Sequence, residues 1–312
     1  MPAQYVALAL TWGTSFLFIK IGLEGLSPGQ VVLARLVAGA LALAAICAAA
    51  RQPLPRDPVV WGHLLVVAAL LCTFPFLVFA WAEQYVSSGL ASILNATTPL
   101  MTTMVALAAL PQERPTRTRL AGLLVGFAGV VLVLAPWRAE SPPAGSAPSG
   151  EMVLWAQVAC LAATASYGIA FVYLRRFVSP RGLAAIPVAT VQIGLAALLM
   201  LALSPVLARQ PVDLSWRVVW AMAALGVLGT GLAYVWNTNV VAGWGATNAS
   251  TVTYLTPLVG VLAGMVVLAE RVRWNQPVGA LIVIAGIAVS QGRLTEVTRG
   301  RSLATTAAQR RE

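Results

Sequence analysis

Charge is scarce in this 312-residue chain. Asp, Glu, Lys and Arg together make up 10% of it, while apolar residues make up 59%. A soluble domain carries about 25% charged residues, so a large soluble core is excluded. Histidine is almost missing. His63 alone, at the start of an apolar run, rules out a His-Glu-x-x-His zinc site. The two aspartates, Asp57 and Asp213, lie outside the apolar runs, which removes an intramembrane aspartyl pair. Cys47, Cys72 and Cys160 each sit inside an apolar run. They show neither a disulfide framework nor metal-ligand spacing, and read as small buried hydrophobes. There is no phosphate-binding loop, and Gly226-x-x-Gly229-x-Gly231 lies within an apolar run instead of following a strand, so direct nucleotide drive is not expected. No catalytic residue, metal or cofactor is expected. The N-terminus has no basic region or small-residue cleavage site, so the first apolar run reads as a retained span.

What the chain has in abundance is apolar runs of membrane-spanning length, about 20 residues each. They cover roughly 3–23, 30–50, 60–82, 87–110, 120–136, 152–177, 183–207, 216–240, 245–269 and 276–291. The Pro-, Ser- and Gly-rich stretch 137–151 divides them five and five and reads as a flexible linker. The two halves repeat each other. Ala91-Ser92…Thr98-Pro99-Leu100 returns as Ala249-Ser250…Thr256-Pro257-Leu258 at an offset of 158. Trp12-Gly13 and Lys20 fall on Tyr167-Gly168 and Arg175 at 155, and Glu113, Gly122 and Gly129 fall on Glu270, Gly279 and Gly286 at 157. A near-constant offset in three regions indicates internal duplication. Because five is odd, the second copy enters the membrane upside down, as in inverted-repeat transporters.

The expected fold is thus an all-α polytopic membrane protein of ten transmembrane helices. It comprises a first repeat (1–136), an extracytoplasmic linker (137–151), a second repeat (152–292) and a basic cytoplasmic tail (293–312). Of the 20 cations, 13 fall in segments that are inside if both termini are inside, and five fall outside. The positive-inside rule therefore favours N-in and C-in, in a bacterial inner membrane. The net charge of +10 follows this pattern and forms no phosphate-binding surface, so nucleic acid is not an expected partner.

The run Leu10-Thr11-Trp12-Gly13-Thr14-Ser15-Phe16 with Lys20 and Arg35, and the two Thr-Pro-Leu stretches each followed by Glu113 or Glu270 with a Gly nine residues on, resemble EamA repeats of the drug/metabolite transporter superfamily. The resemblance spans the chain apart from linker and tail. It implies ten helices in two EamA repeats and export of small metabolites, often amino acids, or drugs. The second repeat carries Thr190 where Arg35 would align. A lipid-carrier flippase of the same superfamily is an alternative, with a greasy cavity and a lateral gap. A non-transporting receptor or scaffold, with a sealed bundle, is an alternative of another class.

The candidate site follows from helical geometry. With about 100° per residue, Ser92, Asn95, Pro99, Thr102 and Thr103 share a stripe, and Ser250, Thr253, Tyr254, Pro257 and Gly260 share the equivalent one. Polar residues in spans usually face a cavity or the bundle interior, so the stripes are expected to face each other across a cavity, against the alternative of interhelical packing. Pro99 and Pro257 each leave a carbonyl one turn earlier without its donor, and are candidate hinges. Tyr234, Asn237 and Thr238 share a face, and Trp12 and Tyr167 are repeat-equivalent aromatics. The candidate solute-binding set is Trp12, Ser92, Asn95, Tyr167, Tyr234, Asn237, Thr253 and Tyr254. Lys20, Arg35 and Glu83 are candidates for charge or gating roles. For Lys20 and Arg35 the alternative is snorkelling, with Lys20 paired to Glu24. Glu83 is a candidate for coupling to a proton or another ion, against a solvated charge at a helix end. Glu113 and Glu270 are expected to tie loops through Arg114 or Arg271. Gly122-x-x-x-Gly126 suits close helix packing, within the fold or in a homodimer. Gln192 reads as either lining or packing.

Overall fold

The computed structural model describes residues 2–110, 116–135, 150–249 and 252–290. Glu113, Arg114, the stretch 137–149, Ser250 and the tail 293–312 lie outside the described residues. Among the described residues, eight helices are long and apolar enough to cross a bilayer. They are α1 (Pro2–Gly22), α2 (Pro28–Ala49), α3 (Pro58–Ala82), α4 (Ser88–Ala109), α5 (Arg117–Leu134), α6 (Gly150–Arg181), α7 (Ala185–Leu207) and α8 (Trp216–Val240, helical on to Ala249). Two shorter apolar helices follow, α9 (Val252–Leu268) and α10 (Asn275–Ser290). The chain is a polytopic integral membrane protein. Several helix starts are set by a polar side chain that accepts from an N–H two or three residues on. Ser27 and Gln30 form a capping box for α2, and Asp57, Ser87, Thr116 and Ser215 cap α3, α4, α5 and α8.

Glycine sets the tightest crossings. α5 and α10 lie backbone to backbone, since a methyl on Gly129 would come within 2.7 Å of Val283 N and 2.8 Å of Gly279 O. Gly122 meets Ser290 and Gly286, and Gly126 meets the Leu100 side chain. The Gly122-x-x-x-Gly126 motif is therefore consumed within the fold. Gly13 brings α1 onto α9 beside Val259 and Thr256, and its repeat equivalent Gly168 brings α6 onto α4 beside Met101 and Thr102.

Winding departs from the α-helix at a few places. α1 is interrupted at Thr14 and α4 at Ala96–Thr97, and α3, α6 and α8 contain π-helical segments at Ala69–Thr73, Leu174–Val178 and Ala224–Leu232. The break in α4 precedes Pro99, whereas α9 continues as one helix through Pro257, so the two candidate hinge prolines sit in different helical settings. The orphaned carbonyl is handled alike in both helices. Thr98 Oγ1 donates to Asn95 O at 2.7 Å and Thr256 Oγ1 donates to Thr253 O at 3.1 Å. The threonine before each proline thus replaces the missing N–H.

One end of the bundle is held by charges placed at helix ends. Lys20 Nζ donates to the main-chain oxygens of Glu83 and, at 2.9 Å, Val86, at the carbonyl end of α3. The Glu270 carboxylate accepts from Ser88 N at 2.7 Å, Ser88 Oγ at 3.1 Å and Gly89 N at 3.0 Å, at the N–H end of α4. Each charge faces the opposite pole of a helix dipole and satisfies groups that helix ends leave unpaired. Two expectations are corrected here. Lys20 does not pair with Glu24, because it reaches across to the α3–α4 turn, and Glu24 instead meets Arg217 at 3.4 Å. Glu270 caps α4 instead of tying a loop. The same end is joined by Asp213 N donating to Gly25 O at 2.9 Å and Gln30 Nε2 donating to Gln210 O at 2.6 Å. At the opposite end Arg181 meets Asp57 at 2.8 Å.

Gly129→Ala should lower the thermal unfolding midpoint of the detergent-solubilised protein, with an overpacking cost of about 1–3 kcal/mol; an unchanged midpoint would show that α5 and α10 are not in backbone contact. Glu270→Ala should destabilise by about 1.5–3 kcal/mol, the range for a hydrogen bond to a charged group, and protease cleavage in the α3–α4 turn should rise with it. Equal cleavage of variant and wild type would rule out the cap.

Candidate functional site

A cavity of about 410 Å³ lies among eight helices, within the size range of small-molecule sites. α5 and α10, packed on each other, contribute none of its wall residues. Every irregularity of winding described above does contribute. The α4 break supplies Asn95, Ala96, Thr98 and Pro99, and the interruption in α1 is flanked by Trp12 and Ser15. The π segments supply Leu71, Leu174 and Gly229. Non-helical backbone at membrane depth is tolerated where it lines a cavity or is buried in protein. Hydroxyls relieve it here as well, since Ser166 Oγ donates to Leu70 O at 2.7 Å and Thr230 Oγ1 to Leu225 O at 3.3 Å.

Most of the wall is apolar. At the Glu83 end, Phe16 packs edge-on to Phe79 with centroids 5.3 Å apart, and Phe79 stacks on Tyr167 at 6.3 Å. These rings form a floor. Polar groups come from Asn95, Asn237, Thr253, Tyr234 and Gln192. Gln192 Nε2 donates to Tyr234 OH at 3.4 Å and to Cys72 Sγ at 3.3 Å, fixing the phenol from behind. Wall residues from the far halves of α6 and α8, and from the start of α7, among them Phe171, Val188 and Asn237, extend the cavity toward the Arg181 end.

Among the described residues the wall carries one charged side chain, Arg35, and neither Asp nor Glu. Arg35 does not snorkel. It is 9% exposed, its Nε donates to Thr230 Oγ1 at 3.0 Å and its guanidinium lies 3.7 Å over the Phe76 ring. The π segment of α8 positions it, because Gly226 lets that helix close on α2 beside Arg35 O and Ala38. A guanidinium has five N–H donors, and the Thr230 bond is its one hydrogen bond among the described residues. A buried cation this far from neutralised favours an anionic group beside it.

The structure brings Trp12, Arg35, Asn95, Pro99, Tyr167, Tyr234, Asn237 and Thr253 to one wall. It places others elsewhere. Ser92 is fully buried, packs against Gly260 and donates to Thr256 O at 3.2 Å, so the two polar stripes touch there instead of facing across a space. Tyr254 packs against the cluster of Leu100, Leu123, Val130, Val283 and Ile287 on the α5–α10 side, and Pro257 is buried off the wall. A step of about 100° per residue turns Tyr254 away when Thr253 and Thr256 face the cavity. Lys20 belongs to the helix-end clamp. Glu83 is not a solvated helix end: it is 0% exposed, with neither carboxylate oxygen hydrogen-bonded. Sequence reasoning missed Ser15, Phe76 and Phe79. A phenylalanine in a span carries no mark that separates a cavity-facing ring from a lipid-facing one.

Comparison with known proteins agrees with this architecture. The EamA-like transporter family matches over residues 4–135 and again over 154–291. The uncharacterized transporter YdfC of Bacillus subtilis (strain 168) is 25% identical over 291 residues, which is 92% of this chain and 90% of that protein. A probable terminal-alkyne amino-acid exporter of Streptantibioticus cattleyicolor is 32% identical over 131 residues, 41% of this chain and 42% of that one. A solved crystal structure superposes with a TM-score of 0.62 at 18% identity, over 92% of this chain and 95% of the other, which is a likeness of fold. With both halves matched by one family, the chain belongs to the EamA-like transporter family.

Proposed function

We propose that the chain is a secondary transporter that exports small amino-acid-like solutes by alternating access between two inverted five-helix repeats, 1–136 and 152–292. The observation that carries the solute class is the cavity wall, which among the described residues has one guanidinium, no carboxylate and an otherwise largely apolar surface. Such a wall suits a solute with an anionic head and an apolar body. Arg35 binds the carboxylate. The amide oxygens of Asn95 and Asn237 accept from the ammonium, and Phe76, Phe79 and Trp12 enclose the side chain. A relative whose name describes it as a probable amino-acid exporter supports this class. It also includes amphipathic drugs with an acid group.

Support for the inverted repeat comes from exchanged packing partners. α1 packs on α9 through Gly13, and α6 packs on α4 through Gly168, so the same contact recurs with the halves swapped. α2 packs on the π segment of α8, as α7 packs on that of α3. With N-in and C-in, the end holding Lys20, Glu83 and Glu270 is extracytoplasmic and tied shut. The cavity then extends toward the cytoplasm, the side from which an exporter loads. The linker 137–151 is extracytoplasmic, the tail 293–312 cytoplasmic, and the membrane is a bacterial inner membrane.

A periplasm-active reporter fused to the C-terminus should stay silent and a cytoplasm-active one should work; the reverse pattern would overturn the orientation. In proteoliposomes, wild-type protein should exchange radiolabelled L-leucine or L-phenylalanine but not their amides. Arg35→Gln should slow exchange about tenfold or more, as expected for one charge-assisted hydrogen bond. Tyr254→Phe, off the wall, should leave it within about twofold, as expected for a substitution that touches no solute. Full activity of Arg35→Gln, or equal exchange of the amides, would discard the amino-acid-like class.

A further inference from the structure

The α3–α4 turn holds a second feature that neither the cavity nor the clamp uses. Glu83 follows the last residue of α3, is 0% exposed, and neither of its carboxylate oxygens has a hydrogen-bond partner. Its charged and titratable surroundings come from four elements. Lys20 lies on α1, Arg35 on α2, Cys160 on α6, and Glu270 after α9. These groups do not act alike. The Glu270 carboxylate is engaged by three donors at the start of α4. Lys20 hydrogen-bonds to two main-chain oxygens and makes no hydrogen bond to the Glu83 carboxylate. Of the two carboxyl groups, one is held by three donors and the other is bare. Removing an ionised carboxylate from water without a donor is costly, whereas a neutral carboxyl is tolerated.

We propose that Glu83 is a proton-binding site, and that closing the Glu83 end of the bundle requires a proton on its carboxyl. When that end opens, water reaches Glu83 and its carboxylate takes a proton from the outer medium. Closure then buries the neutral acid. Loss of that proton to the cavity side, one helical turn away past Phe79, restores the carboxylate charge, and the cost of burying that charge reopens the end. No oxidant or co-reactant is involved; the proton passes from water to carboxylate and back to water. The assignment of Glu83 as a proton site stands by itself. Its role as the coupling site, proton in for solute out, rests on the transporter reading above.

The test uses the full chain in lipid nanodiscs and infrared difference spectroscopy across a pH step. Wild type should show the C=O stretch of a protonated carboxyl, lost in Glu83→Gln and shifted in Glu83→Asp. A wild-type spectrum without that band, or a band that survives unchanged in both variants, would overturn the proposal. Should Glu83→Gln fail to fold, the Glu83→Asp shift alone decides. Glu83→Gln, which mimics the neutral acid, should keep the wild-type unfolding midpoint; a marked fall would mean an ion pair with Lys20. A separate arm tests coupling with L-leucine. Glu83→Gln should retain leucine exchange but lose its acceleration by an outside-acid pH gradient, and retained acceleration would remove the coupling role. Absence of leucine exchange in wild type counts against the solute class alone, because the infrared result does not depend on transport.

Discussion

Inside a membrane a main-chain carbonyl without a donor costs several kcal/mol, and this constraint shapes the whole bundle. Regular helix meets it in the lipid-facing stretches. Where the winding changes, in α1, α3, α4, α6 and α8, the altered turns are gathered on one cavity wall, and nearby hydroxyls stand in for missing N–H groups. Thr98, Thr256, Ser166 and Thr230 all act in this way. Small hydroxyl residues that look like solute ligands on a helical wheel are thus in part repairs to the backbone. That role leaves the wall itself to groups with free chemistry, chiefly Arg35, the amides and the aromatic rings.

The few charges within the bundle follow the same logic. Lys20 and Glu270 are spent on helix ends, each opposite the pole that attracts it. Together they hold the α3–α4 turn between α1 and the segment after α9, which joins the two halves at one end. Arg35 and Glu83 differ from them. One is a cation on a cavity wall with most of its donors unused, and the other is a buried acid without any donor. Buried ionisable groups without matched partners are costly to a resting structure, and intramembrane ionisable residues tend to mark function. The proposed solute binding at the first and proton binding at the second would give each a reason to be there. Each lies in the electrostatic field of the other, so a movement that hydrates one changes the surroundings of the other.

The division between what could and could not be read in advance runs along individual residues. Asn95 and Thr253 lie on the wall, as the stripes suggested, but Ser92 and Tyr254, on the same stripes, do not. A polar stripe states that a face avoids lipid; it does not state whether that face meets a space or another helix. At Ser92 the partner is Gly260, whose missing side chain lets α4 and α9 touch. Phe76 and Phe79 were invisible for the opposite reason, since an apolar residue in a span satisfies lipid and bundle equally.

By itself the sequence determined the membrane class, the positions of the apolar spans, the doubling of the motif and the place of each intramembrane charge along the chain. These depend on hydropathy and on spacing, both local properties. Only the tertiary structure decided which polar groups face the cavity and which pack, that Lys20 serves α3 instead of Glu24, that Glu270 caps α4, and that Glu83 is buried bare. Each of those outcomes depends on how closely two distant helices approach, which glycine positions such as Gly13, Gly168 and Gly260 set only once both partners are in place.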